Sequence, residues 1–217
     1  MLTVVKVGGG RGRDDALKGL CTALGALGER HPLLVVPGGG DFADAVRDAD
    51  RRFGLSAETS HRMAILGMEQ FGWLLSELIP GAERCADLAR IGTERTTVLL
   101  PAALPLDALP ASWQVTSDSI AAWVAVQLSA RRLVLVKQAD GLFADWPARG
   151  APLARLSVAE LAQLRPGGVD EYLPVVLEDA RFETWVIGGR DHARLKELLE
   201  QGTTVGTRIG LLPWPHG

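Results

Sequence analysis

The sequence predicts an α/β protein, a three-layer αβα sandwich on a largely parallel central sheet. Strand-like and helix-like patterns alternate along most of the chain, the order that a parallel sheet with crossover helices produces. Two apolar strands, Val4-Val5-Lys6-Val7 and Leu34-Val35-Val36-Pro37, run straight into the triplets Gly8-Gly9-Gly10 and Gly38-Gly39-Gly40, and a helical pattern follows each. Hydrophobic residues make up 47% of 217 positions, enough to bury one substantial core and so to form a single domain over residues 1–217.

Strands are expected at residues 2–8, 32–37, 96–100, 132–137, 183–188 and 204–209. Between the first two, Leu17, Leu20, Cys21, Leu24 and Leu27 repeat at helical spacing within residues 14–29, with Asp14 or Asp15 suited to cap the start. Residues 41–53 then read as a helix that is acidic early and basic late, and residues 57–78 as a long one. The stretch 101–112 contains three prolines and can continue neither a helix nor a central strand. It is read as the connection between an acceptor-side half, about residues 1–112, and a nucleotide-side half, about residues 113–217. Gly202 to Ile209 resembles a closing hairpin.

A net charge of −3 gives no basic footprint for nucleic acid. No run of eighteen apolar residues occurs and no charged-then-apolar leader opens the chain, so no membrane partner is expected and a cytoplasmic location is. Cys21 and Cys85 lack metal spacing and sit in apolar helical patterns, where a free thiol acts as a small hydrophobe. No His, Cys and carboxylate cluster has the spacing of zinc ligands, so no metal is assigned to protein side chains.

The chemistry is expected at the glycine loops. Residues without a Cβ let the backbone turn sharply and present N–H groups to an anion. Two such loops suit two phosphate-bearing ends, and Lys6, two residues before the first triplet, can lean over the same anion. No Gly-Lys-Ser/Thr follows either triplet, which excludes a Walker P-loop. Gly8-Gly9-Gly10-Arg11-Gly12-Arg13 lacks the third glycine of a dinucleotide fingerprint, and the second strand ends in Pro37-Gly38 where an acidic ribose ligand would stand.

Further along, Thr116 or Ser117 is suited to cap a helix that is apolar on nearly every face. Asp118, in its first turn, reads either as a plain cap or as the group that orients lysines at a transfer centre. Lys137 ends a buried strand at the sheet edge where ligands of parallel α/β folds collect. Asp140-Gly141 follows as a turn. His61, alone on an otherwise apolar helix, reads either as a satisfied core or surface residue or as a group facing the acceptor.

In order and spacing, Lys6-Val7-Gly8-Gly9, Gly38-Gly39-Gly40, Ser117-Asp118-Ser119-Ile120-Ala121, Asp140-Gly141-Leu142-Phe143 and Gly206-Thr207 resemble the amino acid kinase superfamily over residues 3–209. Within it, residues 60–70 and Val115-Thr116-Ser117-Asp118-Ser119 look most like the aminomethylfuran phosphate kinases of methanofuran biosynthesis and their methylotroph relatives. The resemblance implies ATP and Mg²⁺. Lys6 would bridge the transferring phosphoryl group, Gly8 to Gly10 and Gly38 to Gly40 would hold phosphates, Asp118 would organise the lysine, and Asp140, Gly141, Leu142 and Phe143 would border the adenosine site. His61 and Ser117 complete the expected substrate contacts.

The chain departs from that pattern in two places. Many relatives have serine where Gly10 stands, so Arg11 or Arg13 would have to substitute for the missing hydroxyl. Many carry a second catalytic lysine after a later glycine pair, whereas Gly167-Gly168-Val169-Asp170-Glu171-Tyr172 has none; Lys137 is the candidate replacement. The expected activity is transfer of the ATP γ-phosphoryl group to a small anionic acceptor, a phosphomonoester first of all. The alternatives are a non-catalytic nucleotide or oxyanion store and a carboxylate kinase. The breadth of apolar positions over residues 57–78 predicts a homodimer or higher homo-oligomer.

Overall fold

All five residues of β1 (Thr3–Val7) are buried, as are all five of β2 (Leu33–Pro37). Strands covered on both faces read as nearly continuous apolar runs, which is how these two appear in the sequence apart from Thr3 and Lys6 in β1. The computed structural model describes residues 1–8, 14–92, 94–144, 150–165 and 167–210. The expectations placed on Gly9, Gly10, Arg11 and Arg13 lie outside the described residues.

Between the first two strands runs α1 (Asp14–Gly28), and after them α2 (Gly40–Phe53) and α3 (Ala57–Leu78). There follow β3 (Glu83–Cys85), β4 (Thr97–Leu99), α4 (Ser117–Gln127), β5 (Arg132–Lys137), β6 (Arg155–Ser157), α5 (Val158–Leu164), α6 (Leu173–Leu177), β7 (Glu183–Gly188), α7 (Ala193–Gln201) and β8 (Thr207–Gly210). The described strands form one eight-stranded sheet in the order β3-β4-β2-β1-β5-β7-β8-β6. Its pairings are parallel apart from β7 with β8. The first four strands in the chain therefore form one flank and the last four the other, joined where β1 pairs with β5.

Alternate strand residues leave a sheet on opposite sides. Val5, Val7, Val35, Val134 and Val136 pack on one side with Leu20 and Leu24 of α1 and Leu195 and Leu198 of α7. Val4, Leu34, Leu133 and Leu135 pack on the other with Ile120, Ala121 and Val124 of α4. This division makes the three layers. It also aims the two strand lysines: Lys6 shares the parity of Val4, and Lys137 that of Leu133 and Leu135, so both leave the sheet toward α4.

Five expected strands overlap observed ones within a residue or two, and three long helices start and end close to where their capping and periodicity place them. The expected hairpin at Gly202 to Ile209 is absent. β8 does run antiparallel to β7, but α7 lies between them in the chain, and β8 also pairs with β6. β3 and β6, of three residues each, were not anticipated. The proline-rich stretch holds two 3₁₀ turns, Pro101–Ala103 and Leu106–Ala108, and carries the chain from β4 to α4. Among the described residues no helix is long and apolar enough to cross a membrane. Cys21 is buried in the core, which raises its thiol to about 11.

Candidate functional site

The C-terminal ends of β1, β2, β5 and β7 open onto one cavity of about 520 Å³, the edge at which open parallel sheets bind ligands. Its wall includes Lys6, Gly8, Gly38, Gly39, Gly40, His61, Ser117, Asp118 and Lys137. Nine residues singled out from the sequence thus come together from β1, the β2–α2 turn, α3, α4 and β5.

At the centre, Lys6 Nζ lies 3.0 Å from Asp118 Oδ1 and Lys137 Nζ 2.5 Å from Asp118 Oδ2. One carboxylate spans two ammonium groups from neighbouring strands. Asp118 is 2% exposed and Lys6 6%, so these charges stand in a medium where an unpaired ion is costly and a paired one is held firmly. Burial alone raises an aspartate, but Lys137 and Lys6 outweigh it and hold Asp118 at about 2. Burial brings Lys137 down to about 8, against the opposing pull of Asp118 and with a further push from Lys6.

Neither Thr116 nor Ser117 caps α4 with its own side chain. Asp170 does so from a distant loop: its Oδ2 accepts from Thr116 N (2.9 Å), Thr116 Oγ1 (2.8 Å) and Ser119 N (2.9 Å), and its Oδ1 from Ser119 Oγ (2.5 Å) and Leu173 N (2.9 Å). Its backbone N–H donates to Asp118 Oδ2 at 3.2 Å. Burial and the nearby Asp118 charge raise Asp170, and its bonds to Ser119 and Thr116 oppose them. Nothing in the periodicity ties residue 170 to residues 116–119, and the sequence reading passed over it.

The glycines are less uniform than their spelling. Gly8 N donates weakly to Val136 O (3.4 Å) and Gly38 N to Val7 O (2.8 Å), so these two shape the wall with their amides already engaged. Gly40 has φ 54°, a left-handed backbone that favours glycine, and α2 begins there. Gly189, after β7, also lines the cavity; a Cβ there would stand 2.7 Å from Val136 Cγ1.

Asp140, Gly141, Leu142 and Phe143 are not in the cavity wall. Asp140 pairs with Arg194 at 2.7 Å, Leu142 N donates to Thr207 Oγ1 at 2.8 Å, and Leu142 and Phe143 are buried. This turn fastens the exit of β5 to α7 and β8.

Leu17, Leu20, Ile65, Met68 and Phe71 give the cavity wall an apolar part, and Trp113 also lines it. Trp113 Nε1 donates to Asp50 Oδ2 at 2.7 Å, and the Arg47 guanidinium lies 4.8 Å from its ring centroid. His61 Nε2 is buried with no hydrogen-bond partner among the described residues. Burial lowers the ring, while a backbone hydrogen bond to Ser112 raises it in part. Arg47, Trp113 and Arg190 were not expected in the wall; Arg47 reads as one of several polar residues on α2, and a lone tryptophan or arginine between elements, like Trp113 and Arg190, gives no periodic signal.

Residues 1–181 match the family described as the amino acid kinase family. The chain is 30% identical over 213 residues to the (5-(aminomethyl)furan-3-yl)methyl phosphate kinase of Methanocaldococcus jannaschii, spanning 95% of this chain and 96% of that one. It is 24% identical over 230 residues to a uridylate kinase of Methanosarcina barkeri, spanning 99% and 98%. The solved uridylate kinase of Archaeoglobus fulgidus superposes with a TM-score of 0.77 at 20% identity, over 97% of this chain and 100% of that one, a likeness of fold.

Proposed function

The chain belongs to the amino acid kinase family and is a kinase, and within that family we propose that it moves the γ-phosphoryl group of Mg-ATP to a small phosphomonoester, of the aminomethylfuran phosphate type, to give a diphosphate. The observation that carries this reading is the pair of ammonium groups held on Asp118, 3.0 and 2.5 Å away. A phosphoryl group in flight spreads charge over its oxygens, and catalysis is mostly alignment and neutralisation of that charge. Lys6 and Lys137 supply two fixed cations. Asp118 is the group that holds them, since a carboxyl kept at about 2 with both oxygens engaged is no proton acceptor near neutral pH. A phosphomonoester acceptor is already an anion and needs none.

Mg²⁺ enters this account with the nucleotide. No group of three His, Cys, Asp or Glu among the described residues could hold a metal, and the carboxylate at the centre is taken by lysines, so the donor set suits an ion carried in by the ATP phosphates. The apolar residues of the wall and the Trp113 ring favour an acceptor with a small flat body over a sugar. His61 supports an anionic head. With its other N–H on Ser112, Nε2 carries no proton in the neutral ring, and an arriving phosphate would draw one onto it.

The test is turnover followed by ³¹P NMR with Mg-ATP and, in turn, (5-(aminomethyl)furan-3-yl)methyl phosphate, UMP and N-acetylglutamate. The furan phosphate should yield ADP and a new pair of coupled diphosphate signals. Turnover with N-acetylglutamate alone would make it a carboxylate kinase. ATP binding, seen as a higher melting temperature, without turnover on any phosphomonoester would make it a store.

A further inference from the structure

The geometry assigns to Asp170 the part of a positioning residue: from a loop 51 residues away it closes the first turn of α4 and, through its backbone N–H, fixes the Asp118 oxygen that also carries Lys137. This rests on the reading of Lys6, Asp118 and Lys137 as the transfer centre. Asp170 touches no reacting atom in that scheme. It acts through Asp118 and through its own charge.

Three observations support the assignment. The Asp170 carboxylate accepts five hydrogen bonds, four of them from Thr116 and Ser119, the residues flanking Ser117 and Asp118. Three of the five come from backbone or hydroxyl groups at one oxygen, so the carboxylate is locked and its N–H points at Asp118. Thr116 and Ser119 spend their hydroxyls on Asp170, which leaves Asp118 to face the lysines. Lastly, the loop turns sharply just ahead of it, with Gly168 at φ 109°, a conformation glycine adopts at little cost.

The arrangement exchanges roles between two segments. Where relatives carry a lysine after the glycine pair, this loop supplies a carboxylate and an amide, and the second ammonium comes from the end of β5. The charged groups that face Lys137 are Asp118 on α4, Lys6 on β1 and Asp170 on this loop. Asp170 favours the charged form of Lys137 and Lys6 disfavours it. Removing the Asp170 charge therefore lets the Lys137 proton leave at a lower pH.

The experiment compares the full-length protein with Asp170→Asn and Ser119→Ala. The lysines are Lys6, Lys18, Lys137 and Lys196, few enough to follow singly by ¹⁵N-lysine NMR, with Lys137→Met identifying its signal. Asparagine can still cap α4, so the fold should persist by circular dichroism. The Lys137 titration should move down by about one unit, the alkaline limb of kcat/KM should follow it, and kcat should fall about 10-fold or more at little change in the nucleotide KM. Ser119→Ala keeps the charge and loses one bond to Asp170. It should keep the Lys137 titration and lower kcat about threefold.

A folded Asp170→Asn with the wild-type titration and kcat would reduce Asp170 to a plain helix cap and overturn the assignment. If Asp170→Asn does not fold, an unchanged kcat in Ser119→Ala would overturn it as well. The NMR arm needs no acceptor. A moved titration in a protein that turns over no phosphomonoester would uphold Asp170 as the group that tunes Lys137 and reject the kinase mechanism alone.

Discussion

Asp118 spreads one negative charge over two lysines, each ammonium on its own oxygen, which leaves the pair a net positive charge to offer to phosphate. Lys6→Ala should lower kcat by roughly 10²-fold or more while nucleotide affinity changes less, measured by steady-state kinetics and calorimetry. The pH dependence follows from Lys137. Its ammonium is displaced from 10.5 to about 8 in the folded protein, so activity that needs the cation should fall as pH rises through about 8. Stability should move the other way. Between these values the unfolded chain binds the extra proton, and the folded state gains as pH rises. The gain shows from about 8 until 9.0, where the unfolded Cys21 begins to lose a proton that the folded one keeps up to about 11, a loss of stability with pH. Thermal unfolding and kcat/KM on one set of buffers measure both, and Lys137→Met should abolish the rise in stability.

At the scale of elements, the parts that form the site are those whose sequence pattern is strongest. β1, β2 and β5 are nearly continuous apolar runs, and strand alternation together with the β1–β5 register, Lys6 beside Leu135, places Lys6 and Lys137 on one face. α4 is apolar nearly all round and carries its only first-turn acid, Asp118, into the cavity. Other features left no local trace. The cap of α4 comes from Asp170, 51 to 54 residues away, a contact that no window of sequence contains. β3 and β6 are too short for a period of two to register. The anchors of the Asp140 turn, Arg194 and Thr207, lie 54 and 65 residues along the chain and leave no local trace either. α5 gives a test of local capping. Ser157 and Glu160 cap each other's backbone at its start, and Ser157→Ala should lower the melting temperature by about 2–4 °C with kcat unchanged, read by calorimetry and assay.

The whole molecule buries the inner stripe of α3, Ile65, Met68, Phe71 and Leu75, and leaves Met63, Leu66, Trp73 and Leu74 on the outer one at 36% to 50% exposure. That outer stripe repeats at helical spacing and is rimmed by Arg84, whose guanidinium lies 4.2 Å from the Trp73 ring centroid. A second copy covering it would make the protein a dimer of the 23.2 kDa chain. Light scattering at micromolar concentration should return about twice that mass, and Leu66→Glu should shift it toward the monomer. Within one chain the two flanks of the sheet meet at the β1–β5 pairing, and each contributes one lysine to the carboxylate of α4. If transfer depends on both as a unit, Lys137→Met should lower kcat about as far as Lys6→Ala, and the double variant should be little worse than either, because groups that act together are not additive. Steady-state kcat for the two single variants and the double decides this most directly: equal and non-additive losses are the predicted result, and a Lys137→Met enzyme with near-normal kcat would contradict the two-lysine centre.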